Sequence, residues 1–206
     1  FALRRSVYSI EPQNGHMQRY ETHYMRDIAF LDTAMVFAHI QRVNMRQYGE
    51  FKEPQKDSKV YSESGGKLTA YERASKYLYF YTSNGLYYHH AGNQGLVLDN
   101  ERPVYCTHLV STNTSTWAAS VDGELLQLSR RRIRERYSIK DAISGKRIRL
   151  LEATDSHVFV LTDTDLNVYT ITSGTWRRFN RKSGIIPEQV SALSVLKDSV
   201  YLATPK

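Results

Sequence analysis

An all-β fold, a β-propeller of four-stranded blades, is predicted by three features of this 206-residue sequence. The first is alternation. Residues 76–90 (KYLYFYTSNGLYYHH), 115–128 (STWAASVDGELLQL) and 156–171 (SHVFVLTDTDLNVYTI) each read as two apolar or alternating runs about a turn of Asp, Asn, Gly or Thr, which marks a hairpin with a buried face. The second is a period. Val36, Leu78, Trp117, Val158 and Val200 take the same place in successive copies and lie 42, 39, 41 and 42 residues apart. Four strands of about five residues plus four turns amount to that length. The third is composition within the repeats. Val, Ile, Thr, Tyr and Phe dominate them, and no window keeps a capped helical period, so helical repeats of similar length are set aside.

Residues 5–10 and 16–22 flank Gln13-Asn14-Gly15 and predict a hairpin, placed as the third and fourth strands of a blade. The blade at 24–58 takes strands at 24–31, 35–40 and 43–48, with the polar stretch 50–58 completing it loosely. After the Gly65-Gly66 turn, the blade at 67–102 takes strands at 67–71, 77–81, 86–90 and 96–99. Here Asn84-Gly85 supplies the positive φ angles that a tight hairpin turn requires. The blade at 104–138 takes 105–110, 116–120, 125–128 and 132–137, and the blade at 146–180 takes 147–153, 158–161, 166–171 and 175–179. Residues 190–196 and 199–204 then supply a first and a second strand, complementary to the third and fourth within 5–22. Two architectures follow from this count. Either five repeats of about 41 residues close into a ring through strands from both termini, which removes free sheet edges, or the chain is an arc of a larger ring.

Hydrophobic content of 41% and charged content of 24% are those of a soluble globular protein. Tyrosine is in excess, with 15 residues against 7 Phe and 2 Trp, and suits a half-buried sheet whose rings pack while their hydroxyls reach water. The net charge of +7 concentrates at 130–136 (RRRIRER) and 146–149 (KRIR), with a smaller cluster at 177–182. In RRRIRER the charges fall on an outer strand and its loop, a solvated edge that discourages pairing with other chains. That placement argues against nucleic acid as a partner. The single cysteine, Cys106, excludes an internal disulfide and sits in a strand-like run where a thiol acts as a small apolar group. No apolar span approaches the roughly 20 residues of a membrane helix, and no signal peptide is visible. With Phe first and Pro205-Lys206 last, the sequence reads as a piece of something longer.

In residues 183–204 (SGIIPEQVSALSVLKDSVYLAT), Gly184-Ile185-Ile186-Pro187 forms a loop, Val190, Leu193 and Val195 mark one strand, and Val200-Tyr201-Leu202-Ala203-Thr204 form the next. This pattern resembles the regulator-propeller repeat in the sensor regions of hybrid two-component regulators, common in Bacteroidetes. Residues 117–125 (WAASVDGEL) match the second half of the same pattern. The resemblance covers about two and a half of the five repeats; residues 35–48 lack its Gly-Leu, and no Pro-containing loop precedes Tyr24. It implies an extracytoplasmic, periplasmic sensing propeller of a two-component sensor histidine kinase. It also implies neighbours in the same parent chain, another propeller or a β-sandwich domain.

No catalytic constellation has proper spacing, and no cofactor motif is present. None of the seven histidines forms a His-x-x-x-His pair or a metal-binding cluster with carboxylates, and His89 and His90, adjacent in a strand, point to opposite faces. Asp122, Asp163 and Asp165 fall in turns between second and third strands, where Asp commonly bonds its own backbone. Such turns gather on one rim of a propeller. The expectation is therefore non-catalytic sensing of a small-molecule or oligosaccharide ligand over the axial mouth, with Arg42, Asn84, Asp122, Asp163 and Asp165 as the rim residues. Two other classes stay open: an interaction scaffold using the outer surface, and a glycan-cleaving enzyme, which would need two carboxylates within roughly 5 to 10 Å in the central funnel.

Overall fold

The computed structural model describes residues 5–10, 17–22, 25–39, 42–47, 59–62, 65–138, 147–196 and 199–205. The described residues hold twenty-two strands, two short 3-10 turns and no α-helix. The first two strands, β1 (Arg5–Ile10) and β2 (Met17–Thr22), form an antiparallel pair. Four larger sheets follow. β3 (Met25–Phe30), β4 (Ala34–His39), β5 (Val43–Gln47) and β6 (Lys59–Ser62) make the first. β7 (Gly66–Glu72), β8 (Tyr77–Thr82), β9 (Gly85–His90) and β10 (Asn93–Leu96) make the second. The short β11 (Leu98–Asp99) and β12 (Arg102–Pro103) join the edge of the third, which is built from β13 (Cys106–Ser111), β14 (Thr116–Ser120), β15 (Leu125–Ser129) and β16 (Arg132–Tyr137). β17 (Ile148–Ala153), β18 (His157–Thr162), β19 (Leu166–Thr170) and β20 (Thr175–Phe179) make the fourth. β21 (Ala192–Leu196) and β22 (Ser199–Ala203) close the chain as a second antiparallel pair.

These are the meandering four-stranded sheets of a propeller, each antiparallel throughout its four principal strands. The two halves expected to close a ring form separate two-stranded sheets, with no ladder between them among the described residues. Two strands lie elsewhere than expected. The fourth strand of the first sheet is Lys59–Ser62, whose Val60 and Tyr61 are stronger strand formers than the polar 50–58, a stretch outside the described residues along with Gln13-Asn14-Gly15. The fourth strand of the second sheet is Asn93–Leu96, and Leu98–Asp99 instead crosses to the third sheet, pairing in parallel with Arg132.

Four hydrophobic cores sit between successive sheets, and period-two alternation decides which residue enters which. On β8, Leu78 and Phe80 pack toward the first sheet while Tyr77, Tyr79 and Tyr81 pack toward the third. On β14, Ala118 faces back toward the second sheet, and Trp117 and Ala119 face the fourth. On β18, Val158 and Val160 face back, and Phe159 and Leu161 face β21 and β22. Each second strand is thus buried on both faces, which is why it reads as a continuous apolar run. It also explains a slip in the sequence alignment. Leu78, Val158 and Val200 share one facing, whereas Val36 and Trp117 lie one residue out of phase. Both faces being apolar, hydropathy alone cannot fix the phase.

Tyrosine goes deeper than a half-buried sheet requires. Tyr79 is fully buried and its hydroxyl donates to the Arg130 carbonyl at 2.9 Å rather than to water. Between the third and fourth sheets, Trp117 meets Tyr169 edge-on, and Tyr137 and Trp176 complete a ring cluster in which the Tyr137 and Tyr169 hydroxyls lie 2.9 Å apart. Close approach fixes Gly66: a Cβ there would come within 2.5 Å of Val43 Cγ2 and 2.7 Å of Ala38 Cβ, across the first and second sheets. Trp117→Ala should cost about 3–5 kcal/mol of stability, because it empties a large, fully buried site between two sheets. Chemical denaturation of the variant against the parent checks this, and a loss under about 1 kcal/mol would contradict the packing described.

Candidate functional site

The first strand of each sheet lies beside the first strand of the next, so β3, β7, β13, β17 and β21 run round the inside of the assembly. Their side chains hook one sheet to its neighbour. Asp27 Oδ2 accepts the Thr69 backbone N–H at 2.6 Å and the Thr69 hydroxyl at 3.3 Å. His108 bonds the backbone of Arg149. Arg149 in turn donates through Nη1 to the Pro187 carbonyl at 2.7 Å and through Nη2 to the Val190 carbonyl at 2.9 Å. Each hook spans close to one repeat and satisfies a backbone group on an inner edge that no strand pairs.

Near the start of β3, β7, β13 and β17 the ladder also slips by one residue. The extra residues are Arg26, Lys67, Thr107 and Arg149, which are 41, 40 and 42 positions apart. A bulge re-aims the side chain it inserts, and three of these four carry a positive charge. Because the start of a first strand pairs with the end of a second, these residues share one end of the sheets with the turns between second and third strands. Those turns are fastened by a hydroxyl at the end of the second strand. Thr82 Oγ1 accepts from Asn84 N–H, Ser120 Oγ from Glu124 N–H, and Thr162 Oγ1 from Asp165 N–H. The β8–β9 turn differs from the tight form expected: Ser83 and Asn84 occupy it, and positive φ falls on Gly85, at 125°.

Among the described residues, two clefts at this end stand out. The inner one, about 440 Å³, lies between the third and fourth sheets, lined by Thr107, His108, Ser120, Gly123, Arg147 and Arg149 among others. The outer one, about 480 Å³, lies along the third sheet and the β11–β12 crossing. Here Arg136 bridges Asp99 at 2.6 Å and Glu124 at 2.5 Å.

The five residues expected on the rim all fall at this end, in different settings. Arg42 is exposed in the β4–β5 turn, which is closed by the His39 N–H donating to the Arg42 carbonyl. Asn84 is exposed at the tip of its turn. Asp122 is exposed and borders the outer cleft, while Asp163 is half-buried in the β18–β19 turn. Asp165 is only 5% exposed, and its carboxylate is used internally, accepting from Asn180 Nδ2 at 3.2 Å and from the Thr164 hydroxyl at 2.5 Å. Sequence reasoning missed Thr107, His108, Arg147 and Arg149. Arg147 and Arg149 were visible only as part of a basic run, and the signal that singles out Arg149 is its place one repeat after Thr107 and two after Lys67.

Elsewhere the titratable groups are structural. Burial pushes the Cys106 thiol up to about 12, which keeps it protonated and inert. His90 stacks on Tyr77 at 4.2 Å. Among the described residues no three His, Cys, Asp or Glu side chains converge as a metal site would require. Burial raises the carboxyl pKa of Asp27, Glu72 and Glu152. Each holds its proton more tightly folded than unfolded, so its contribution to stability is fully present at low pH and is lost as pH rises through the folded value. Asp27→Asn keeps an oxygen acceptor for Thr69 and removes one of these groups. Its unfolding midpoint should fall less steeply with pH above 3.8 than that of the parent, and an unchanged slope would contradict the assignment.

No family model matches the sequence, and no curated protein sequence matches it. Several solved structures share the fold at low identity. The extracellular domain of BT3049, assigned to a hybrid two-component system of B. thetaiotaomicron, superposes with a TM-score of 0.63 at 14% identity over 88% of this chain. The corresponding domain of BT4673 from the same organism superposes with a TM-score of 0.67 at 10% identity over 98%. The WD40 propeller of Doa1 gives 0.60 at 9% identity over 85% of this chain and 61% of that one. The chain spans 26% of the BT3049 chain and 30% of the BT4673 chain. The fold is therefore a propeller of the kind found in sensor ectodomains and WD40 proteins.

Proposed function

We propose that this propeller is a non-catalytic sensing domain on the extracytoplasmic side of a two-component sensor, reading its ligand at the end where the second-to-third-strand turns gather. The observation that carries the reading is the concave inner cleft at that end, where polar side chains from the third and fourth sheets converge between rigid strands. The likeness in fold to the two B. thetaiotaomicron ectodomains gives it context. No helix among the described residues is long and apolar enough to cross a membrane, which fits a domain standing clear of the bilayer. The ligand is a small molecule or oligosaccharide.

The geometry does not favour glycan cleavage. The inner cleft has no carboxylate in its lining among the described residues, and of the three in the outer one Asp99 and Glu124 are both tied to Arg136, leaving Asp122 exposed beside them. A scaffold role rests on a different observation. β16 is an outer strand that exposes Arg132 and Arg134, and the adjacent Arg131 lies over the Tyr88 ring at 5.4 Å. A partner bound there would dissociate with rising salt.

The test is chemical-shift mapping with a panel of neutral and acidic oligosaccharides, in the parent and in the Asp122→Ala/Asp163→Ala double variant. Perturbed amides should cluster at 105–108, 120–124 and 147–149. The double variant, whose two carboxylates lie outside the lining of the inner cleft, should bind within about twofold of the parent and change stability by less than about 0.5 kcal/mol. Perturbations confined to the opposite end or to the outer strands would contradict the reading.

A further inference from the structure

We infer that the cleft between the third and fourth sheets is an oxyanion site, built to take the sulfate or carboxylate group of an acidic saccharide; this rests on the mouth being the ligand site. The charge in the cleft is all of one sign. Arg147 is exposed in its lining, and Arg149 reaches it from a bulge, with two of its N–H groups committed to the Pro187 and Val190 carbonyls. A guanidinium has five N–H donors, so the two bonds that fix Arg149 also orient the remainder without exhausting them. Fixing a guanidinium in this way suits recognition of planar or tetrahedral oxyanions, because little side-chain entropy is left to lose on binding.

The rest of the lining supports the same ligand. Ser120 brings a hydroxyl, Thr107 turns its own to His108 and the Ala119 carbonyl, and Gly123 at φ 86° lets the turn lie close against the cleft without a side chain. His108 is held between the Thr107 hydroxyl at 3.0 Å and the Arg149 backbone, and burial lowers its pKa, so it acts as a neutral brace for Arg149. Asp122, the nearest acid in sequence, borders the outer cleft instead. The bulge residues Arg26 and Lys67 extend the positive potential round the same end of the sheets, which raises the local concentration of an anion.

The test compares probes that share a scaffold and differ in charge: sucrose octasulfate against sucrose, and trigalacturonate against maltotriose. Each is titrated calorimetrically at about 0.15 M salt, where exposed single charges are largely screened. The parent should bind at least one acidic probe and neither neutral one. Arg147→Ala should weaken that binding about tenfold, the value of one lost charge-assisted hydrogen bond, while Arg132→Ala on the outer strand should leave it within about twofold. Binding of one acidic probe alone identifies sulfate or carboxylate as the group recognised. Neutral sugars that bind at the mouth as tightly as their acidic counterparts would overturn the oxyanion assignment and leave the sensing reading standing. Acidic probes that lose as much affinity in Arg132→Ala as in Arg147→Ala would overturn both. Failure of both acidic probes to bind overturns the oxyanion assignment.

Discussion

The burial of each second strand on both of its faces is the constraint from which the remaining architecture follows. A strand such as β14, with Trp117 and Ala119 on one side and Ala118 on the other, cannot be satisfied by a single neighbouring sheet. It needs one before and one after. Repeating that demand every 41 residues or so forces the sheets to stack face to face, and their inner strands are gathered together as a result. Stability is then close to a sum of sheet terms and interface terms between nearest neighbours. The large side chains vary between interfaces to fill space: five tyrosine and leucine side chains of β8 and β9 in one, a Trp-Tyr cluster in the next.

Stacking in this way leaves the inner edges of the sheets without ladder partners, and the chain answers with side chains. Asp27, His108 and Arg149 each bind backbone of the following sheet. On the opposite end, the turns between first and second strands are linked as well. The Asn113 carbonyl accepts from Ala74 N–H, and the Asn113 N–H donates to Asp155 Oδ1 at 2.8 Å. Asp32 pairs with Lys76 in the same position one sheet earlier. One end is therefore cross-tied through its turns. The other, where the inner-strand bulges lie, carries the clefts and the basic side chains of Arg26, Lys67, Arg147 and Arg149. That asymmetry distinguishes the two ends of the sheets.

Much of the fold was legible because β-branched and aromatic alternation survives in each repeat, and because Asp-Gly and Asn-Gly mark the turns. Strand positions came within a residue or two through the third and fourth sheets. Where both faces of a strand are apolar, as at Val36 and Trp117, the repeat length is readable but the facing is not. The end that carries the clefts was legible as a place, since the five turn residues singled out in the sequence all fall there, but its chemistry was not. Asp165 looks like any turn aspartate until Asn180 and Thr164 are seen around it. Arg149 belongs to a basic run that looks like a solvated edge, and only the bulge after Ile148 shows that it points inward to the next sheet. A charge run carries no period of its own, so its face has to come from the backbone.

The account turns on the two-sided burial of the second strands, and native-state hydrogen exchange tests it most directly. Amides of β8, β14 and β18 should be the slowest in the chain and should exchange together, through a common opening whose free energy approaches that of global unfolding. Outer strands β10, β16 and β20 should exchange faster by local fraying. If β14 instead exchanges as fast as β16, or if the outer strands prove the most protected, the packing of sheet on sheet is not what holds this molecule together.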